Sequence, residues 1–382
     1  MKIRKIPLSS PFIEKDDIKA VTSVLKTRWL SLGPKLREFE ELFAKFIGTR
    51  YAVAVNSGTS ALHLCVKALG IGKGDEVIVA PFSFVASANC ALFEGAKPVF
   101  VDIESKTFNI DPEKIEEKIT KKTKAIVVVD VFGRPAHKEA IKKIAKKHKL
   151  KIIEDSAEAL GAEYKGRKVG TFGDCGIFAF YPNKQMTTGE GGIIVTNDKK
   201  IYELCLSYRN QGRNIKSRWL DHERVGYNYR ISDIQCALGV SQLKKIKRIL
   251  KKRENVAKEY TKRLKKVKGI RTPFSSTKDL KVSWFVYVIQ VPERDEFLIK
   301  LKKKGVQCSN YFPPIHLTKH YKKEHGHKKG DFPVCEKISK TTLALPFYTH
   351  MNKKDMAYVC EQVNDVHKEL LKKKSKIKKK KK

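Results

Sequence analysis

The chain has 382 residues, 41% of them apolar, with 80 Lys and Arg against 41 Asp and Glu for a formal charge of +39. That length holds two domains, or one large domain with a smaller appendage, and the apolar fraction supplies a substantial core. No apolar run has the length of a membrane-spanning helix, and Met1-Lys2-Ile3-Arg4-Lys5-Ile6-Pro7 lacks the apolar stretch of a signal peptide, so a cytoplasmic protein without membrane insertion is expected.

Residues 51–197 contain seven strand-like runs: Tyr51–Val55, Glu76–Pro81, Pro98–Ile103, Ala125–Val131, Lys151–Asp155, Gly176–Tyr181 and Gly192–Thr196. Most are continuously apolar or β-branched, as strands covered on both faces by helices are. Helical patterns at Ser60–Leu69, Ser83–Phe93, Pro112–Ile119 and Lys138–Lys149 fill several of the gaps. This alternation predicts an α/β fold with a largely parallel sheet, whose ligands gather beyond the carboxyl ends of the strands. A long helical stretch then runs from Ser232 to about Val267, and residues 282–291 read as a strong strand opening a second, smaller α/β unit. The expected division is a large domain over 1–250, a small one over 251–370, and a disordered lysine-rich tail over 371–382.

The charge invites a nucleic-acid reading. Yet lysines punctuate amphipathic helices such as Ile141-Lys142-Lys143-Ile144-Ala145-Lys146-Lys147-His148, and that is how a solvated face looks. Salt-sensitive adhesion to anionic polymers is expected, and specific nucleic-acid binding is not. The eight cysteines form no C-x-x-C pair and sit among apolar neighbours, as buried thiols of a reducing compartment do. His316, His320, His325 and His327 are interleaved with lysines and lack the spacing of a zinc site, so no metal is expected. Gly70-Ile71-Gly72-Lys73-Gly74 follows a helix rather than a strand and reads as a helix stop.

Three segments carry chemistry. Asn56-Ser57-Gly58-Thr59-Ser60-Ala61-Leu62 ends a strand, turns at a glycine and opens a helix with hydroxyl residues. Free amides and the positive end of the helix dipole suit phosphate there, although a plain Ser/Thr cap has the same sequence. Ile152-Ile153-Glu154-Asp155-Ser156-Ala157-Glu158 ends a second strand in carboxylates, either a cap or a partner for a cationic ring nitrogen. Lys184 lies just past Phe178-Ala179-Phe180-Tyr181-Pro182, where an apolar strand stops before a glycine-closed loop. A lysine displayed there becomes a Schiff-base nucleophile if water is excluded, and a bland loop residue otherwise. Phosphate cradle, carboxylate and amine together are what pyridoxal phosphate requires.

In order and setting these segments resemble the DegT/DnrJ/EryC1/StrS family of sugar aminotransferases. The resemblance extends from Trp29-Leu30-Ser31-Leu32-Gly33-Pro34 through Gly226-Tyr227-Asn228-Tyr229-Arg230 to Leu345-Pro346-Phe347-Tyr348. It implies the aspartate-aminotransferase type of fold, with a seven-stranded, mostly parallel sheet and a smaller C-terminal α/β domain. It also implies pyridoxal 5′-phosphate as cofactor, and transfer of an amino group from a donor such as glutamate to a keto group of a nucleotide-linked sugar. Lys184 would carry the cofactor and shuttle the proton, and Asp155 would face the ring nitrogen. Gly58, Thr59 and Ser60 would hold the phosphate, Phe84 would stack on the ring, and Glu158 would face the ring oxygen. Asn228 would reach the phosphate of a neighbouring subunit, which makes the protein a homodimer with shared active sites. Trp29, Ser31, Tyr311 and His316 are the implied substrate-side residues.

Two positions depart from the commonest pattern: Ala179 stands where many members have a phosphate-binding serine, and Glu158 where Gln or His is usual. Related sugar dehydratases carry His at the Schiff-base position, so Lys184 favours transamination. A dehydratase or a cyclitol aminotransferase shares the fold and cofactor and stands as the alternative. A basic nucleic-acid-binding protein is the rival of a different class.

Overall fold

The structure is a computed structural model that describes residues 4–214 and 221–380. Two amphipathic helices, α1 (Lys15–Thr27) and α2 (Pro34–Ile47), precede the first strand β1 (Tyr51–Val55). Then follow α3 (Gly58–Ala68), β2 (Glu76–Val79), α4 (Ala86–Leu92), β3 (Lys97–Phe100), β4 (Thr123–Val129), α5 (Lys138–His148) and β5 (Lys151–Asp155). A short hairpin, β6 (Glu163–Tyr164) and β7 (Arg167–Lys168), leads to β8 (Cys175–Ala179), β9 (Gly192–Thr196) and α6 (Lys199–Arg209).

Seven of these strands form one sheet in the order β1-β9-β8-β5-β4-β2-β3. Only β9 runs against the rest, pairing antiparallel with both β1 and β8. Because neighbouring side chains of a strand leave on opposite faces, Ile177 of β8 packs with Leu64 and Cys65 of α3. Its neighbour Phe178 meets Phe43 of α2 on the other side, with ring centroids 5.3 Å apart. Both faces are covered, which explains why these strands lack alternation in sequence. All eight cysteines are buried and unpaired.

The second unit begins along α7 (Asp233–Lys244) and α8 (Ile246–Leu264). β10 (Leu280–Lys281) pairs with β6 of the hairpin, and β11 (Tyr287–Gln290) pairs antiparallel with β12 (Thr342–Leu345). Around them pack α8, α9 (Arg294–Lys303) and α12 (Lys353–Lys380), burying Tyr260, Phe297 and Val363 together. Two short helices, α10 (Lys319–His325) and α11 (Pro333–Ser339), lie between β11 and β12 in sequence.

Several elements differ from their sequence reading. The stretch 232–267 is two helices, broken at Lys245 (φ −108°, ψ 12°). The Lys245 ammonium is drawn inward to Asp16 at 2.8 Å and Asp17 at 2.6 Å, tying α1 to the junction. Residues 282–291 give a strand only over Tyr287–Gln290, because the carbonyls of Trp284 and Phe285 accept from the Arg253 guanidinium instead of a neighbouring strand. Pro112–Ile119 holds two single 3₁₀ turns rather than a helix. The tail read as disordered is helical as far as Lys380, as the last turns of α12, where Lys373 pairs with Glu296 of α9 at 2.8 Å. A run that is nearly all lysine lacks a core-facing period but has good helix propensity, so a helix already anchored propagates through it. Lys381 and Lys382 lie outside the described residues, and the boundary expected near 250 falls inside α8.

Candidate active site

Lys184 sits in the loop that joins β8 to β9. Antiparallel pairing brings the two ends of that loop together, and Phe180 N–H donates to the Gly191 carbonyl at 2.9 Å. Inside it, Thr188 N–H returns to the Phe180 carbonyl at 3.0 Å and Gly189 turns the chain at φ +82°. The next side chain, Gln185, is buried and donates to the Ser283 carbonyl at 3.1 Å, which fastens the loop to the second unit. Held in this way, the Lys184 side chain is only 14% exposed. Its Nζ lies 4.1 Å from the centre of the Phe285 ring and 3.7 Å from Glu158 Oε1.

Opposite the loop, β1 ends at Asn56 and α3 begins. Ser57 caps the helix by accepting from Ser60 N–H at 3.0 Å. The amides of Gly58 and Thr59 belong to the first turn, where a helix has no internal acceptor to offer. A Cβ on Gly58 would lie 2.7 Å from the Ala179 Cβ, so this turn is packed backbone-first against β8. Ala179 lines the same cavity, which confirms that the position lacks a hydroxyl.

Asp155 closes β5. It is 5% exposed, and its Oδ2 accepts from the Ser87 hydroxyl at 2.6 Å while Oδ1 accepts from Ala157 N–H at 3.2 Å. Burial pushes the carboxyl above its ordinary range, and these two donors and Lys184 pull it back only in part. Glu158 is likewise buried; its Oε2 accepts from Phe132 N–H at 2.9 Å. Desolvation raises its pKa as well, against the opposing pull of Lys184.

These groups border one cavity of about 510 Å³, whose walls include Thr59, Phe84, Asp155, Glu158, Lys184 and Tyr311. A buried carboxylate with a raised pKa is short of a cation, a helix start with free amides is short of an anion, and a shielded amine borders the same cavity. A pyridinium ring carrying a phosphate and an aldehyde satisfies all three, so the residues present fit pyridoxal phosphate. Among the described residues no three His, Cys, Asp or Glu side chains converge as a metal site.

Of the residues singled out in the sequence, Gly58, Thr59, Phe84, Asp155, Glu158, Lys184 and Tyr311 line this cavity. Ser60 does not: its hydroxyl is turned inward, 2.7 Å from Asn56 Oδ1, and Ser57 lines the wall in its place. His316 also lies elsewhere. It is fully buried between Phe100 and Phe332, with Nε2 3.2 Å from Glu336, because Ile315 N–H is bonded to the Pro81 carbonyl and turns the segment inward. Trp29 is 60% exposed and donates from Nε1 to the Ser31 carbonyl, in a loop whose Gly33 and Lys35 amides both donate to Asp233. Neither Trp29 nor Ser31 borders this chain's own cavity, nor does Asn228, which stands exposed beyond the end of β1. Ser57 belongs to the phosphate turn read from the sequence, and the lining residues that the sequence did not single out include Ser87 and Phe285. Ser87 was legible as one helical turn beyond Ser83, whereas Phe285 is indistinguishable from the apolar run around it.

The DegT/DnrJ/EryC1/StrS aminotransferase family profile matches residues 11–364. The chain belongs to that family. It is 35% identical over 369 residues to the GDP-perosamine synthase of Escherichia coli O157:H7, covering 96% of this chain and 99% of the relative. A UDP-4-amino-4,6-dideoxy-N-acetyl-beta-L-altrosamine transaminase of Campylobacter jejuni (strain 81-176) is 38% identical, over 93% and 95% of the two chains. Among solved structures, the putative sugar aminotransferase Spr1654 of Streptococcus pneumoniae in its PLP form superposes with a TM-score of 0.92. It is 28% identical, over 96% of this chain and 99% of that one. As a member of the family the chain is an aminotransferase, and its mostly parallel seven-stranded sheet lies in the α/β arrangement that superposes on the family's solved structures.

Proposed function

We propose that the protein is a pyridoxal-phosphate-dependent aminotransferase of the cytoplasm that moves an amino group, with glutamate as donor, onto a keto group of a nucleotide-linked sugar. The observation that carries this reading is the meeting of Lys184, Asp155 and the first turn of α3 in a single cavity. Relatives that act on GDP- and UDP-linked sugars support the substrate class and leave the carrier nucleotide open.

When bound, pyridoxal phosphate supplies a carbon that takes the amino group and a ring that accepts the electron pair left at the donor's Cα. This chain's residues do the rest. Ser57, Gly58 and Thr59 would hold the phosphate through hydroxyl and amide donors at the positive end of α3. Asp155 would favour a positive charge on the ring nitrogen, in surroundings dry enough for the pairing to matter. Lys184 would be the residue that holds the cofactor covalently and that gives it up to the donor's amine. Its Nζ, beside Glu158 and Phe285, would be the base that takes the proton from the donor's Cα and gives it back. With a keto-sugar in place of the donor, Lys184 would move the proton in the opposite sense and an amino-sugar would result.

Two copies would share sites, with Asn228 of each completing the phosphate cradle of the other. Its exposure and its place outside its own cavity support that arrangement. A dehydratase is disfavoured because Lys184 is present to move the proton in both halves.

The purified protein should show a cofactor absorbance that borohydride bleaches, leaving a reduced adduct on the Lys184 peptide. Lys184→Ala should lose amino transfer by about 10²–10⁴-fold or more and show no adduct. An adduct on any other lysine would overturn the assignment. Screening keto-sugars and a keto-cyclitol with glutamate as donor separates the remaining acceptor classes, and salt-steep DNA binding without cofactor absorbance would favour the nucleic-acid reading.

A further inference from the structure

The segment 226–230 crosses the end of the sheet as an extended strap. Four backbone hydrogen bonds hold it: Tyr227 N–H donates to the Tyr208 carbonyl at 2.7 Å, Gln211 N–H to the Tyr227 carbonyl at 2.8 Å, Tyr229 N–H to the Arg209 carbonyl at 3.0 Å, and Asn56 N–H to the Tyr229 carbonyl at 3.0 Å. In an extended segment alternate side chains share a face, and Tyr227 and Tyr229 do so. Their rings stack with centroids 4.9 Å apart and planes 9° from parallel. Both hydroxyls are fixed from beneath. Tyr229 OH lies 3.0 Å from His63 Nδ1, and Tyr227 OH donates to Glu94 Oε1 at 2.8 Å. His63 Nε2 meets the same carboxylate oxygen at 2.7 Å, and the Lys67 ammonium donates to both oxygens of Glu94 at 3.0 and 2.9 Å.

The arrangement closes on itself: one carboxylate, one imidazole, one ammonium and two phenols, each with partners, all bearing on a strap of five residues. His63 is 4% exposed and lies on α3. The residue between the two pinned tyrosines is Asn228, exposed on the outer face and absent from the chain's own cavity. So much fixed polar structure is not needed to bury two half-exposed rings. It does serve to hold the one side chain that the rings leave pointing outward.

We propose that His63 and Glu94 are positioning residues for the active site of a second copy of this chain: acting through Tyr227 and Tyr229, they hold Asn228 where the partner's cofactor phosphate is bound. The inference rests on the shared-site reading above. One helix then has two duties. The first turn of α3 cradles the phosphate of its own subunit, and His63, further along, steadies the donor that its subunit lends to the other.

Mixed dimers test this. Two differently tagged chains, one Lys184→Ala and the other His63→Gln, are co-expressed and isolated through both tags. The only site able to form a reduced adduct lies in the His63→Gln chain, and its strap comes from the chain with intact His63. The readout is the dissociation constant for pyridoxal phosphate at that site, followed by borohydride fixation. Uniform His63→Gln dimers should bind about ten-fold more weakly than wild type, the size expected for removing support behind a ligand contact. The mixed dimer should return to the wild-type value. Wild-type binding by the uniform dimer would overturn the proposal, as would a mixed dimer that stays weak, since His63 would then act within its own subunit. A parallel mix of Lys184→Ala with Asn228→Ala isolates the underlying reading: if that pair fails to restore binding, the sites are not shared through Asn228. Should His63→Gln not fold, the double substitution Tyr227→Phe and Tyr229→Phe keeps both rings, removes both hydroxyls and is judged by the same two outcomes.

Discussion

Asp155 and Glu158 are both buried and both raised in pKa by desolvation, yet they face different partners. Asp155 is braced by Ser87 and the Ala157 amide, so its direction is fixed before any cation arrives. Because its folded-state pKa lies above the ordinary 3.8, the folded protein holds this proton more tightly than the unfolded chain does. Stability is therefore lost as the pH rises through that window, and the loss persists at neutral pH. Asp155→Asn should raise the melting temperature of the cofactor-free protein at pH 7 while lowering amino transfer about 10²–10³-fold; a lower melting temperature would contradict the assignment of strain to this carboxyl. Glu158 presents its other oxygen to Lys184 at 3.7 Å, and on the proposed reading a carboxylate there would favour retention of a proton on the bound cofactor. Glu158→Gln keeps an acceptor for Phe132 N–H, so the fold should hold while the cofactor absorbance titrates at lower pH. An unchanged titration would remove Glu158 from the electronics of the site.

At the scale of elements, the anion turn and the strand beside it are fitted to each other. Gly58→Ala should clash with Ala179, costing about 1–3 kcal/mol and weakening cofactor binding. Adding Ala179→Gly should recover much of both losses, and equal additive losses in the double variant would refute direct contact. The strands, the βα alternation and the three site segments were legible because each is local: an apolar run, a glycine turn, a carboxylate at a strand end. What was not legible depends on distant partners. Lys245 breaks a helical pattern because Asp16 and Asp17 wait at the other end of the large domain's sequence. Residues 282–285 lose their place in a strand to Arg253. Ser60 and His316 carry the right chemistry for the site and point away from it, and no spacing in the sequence encodes that rotation.

For the molecule as a whole, the formal charge of +39 is spread over solvated helix faces and the end of α12 rather than gathered at the cavity. Binding to heparin should be tight at low salt, fall linearly in log Kd against log salt, and be the same for Lys184→Ala as for wild type. Retention that depended on nucleotide sequence would reopen the nucleic-acid reading. The lone antiparallel strand has a further consequence. The β8–loop–β9 hairpin that presents Lys184 is built from near neighbours in sequence, whereas β1, which delivers the anion turn, reaches β9 only by closing most of the large domain into a loop. Contacts between near neighbours form early and those across long loops form late. The lysine loop is thus expected to be ready before its counterpart, and on the proposed reading uptake of pyridoxal phosphate during refolding should report the docking of the edge strand.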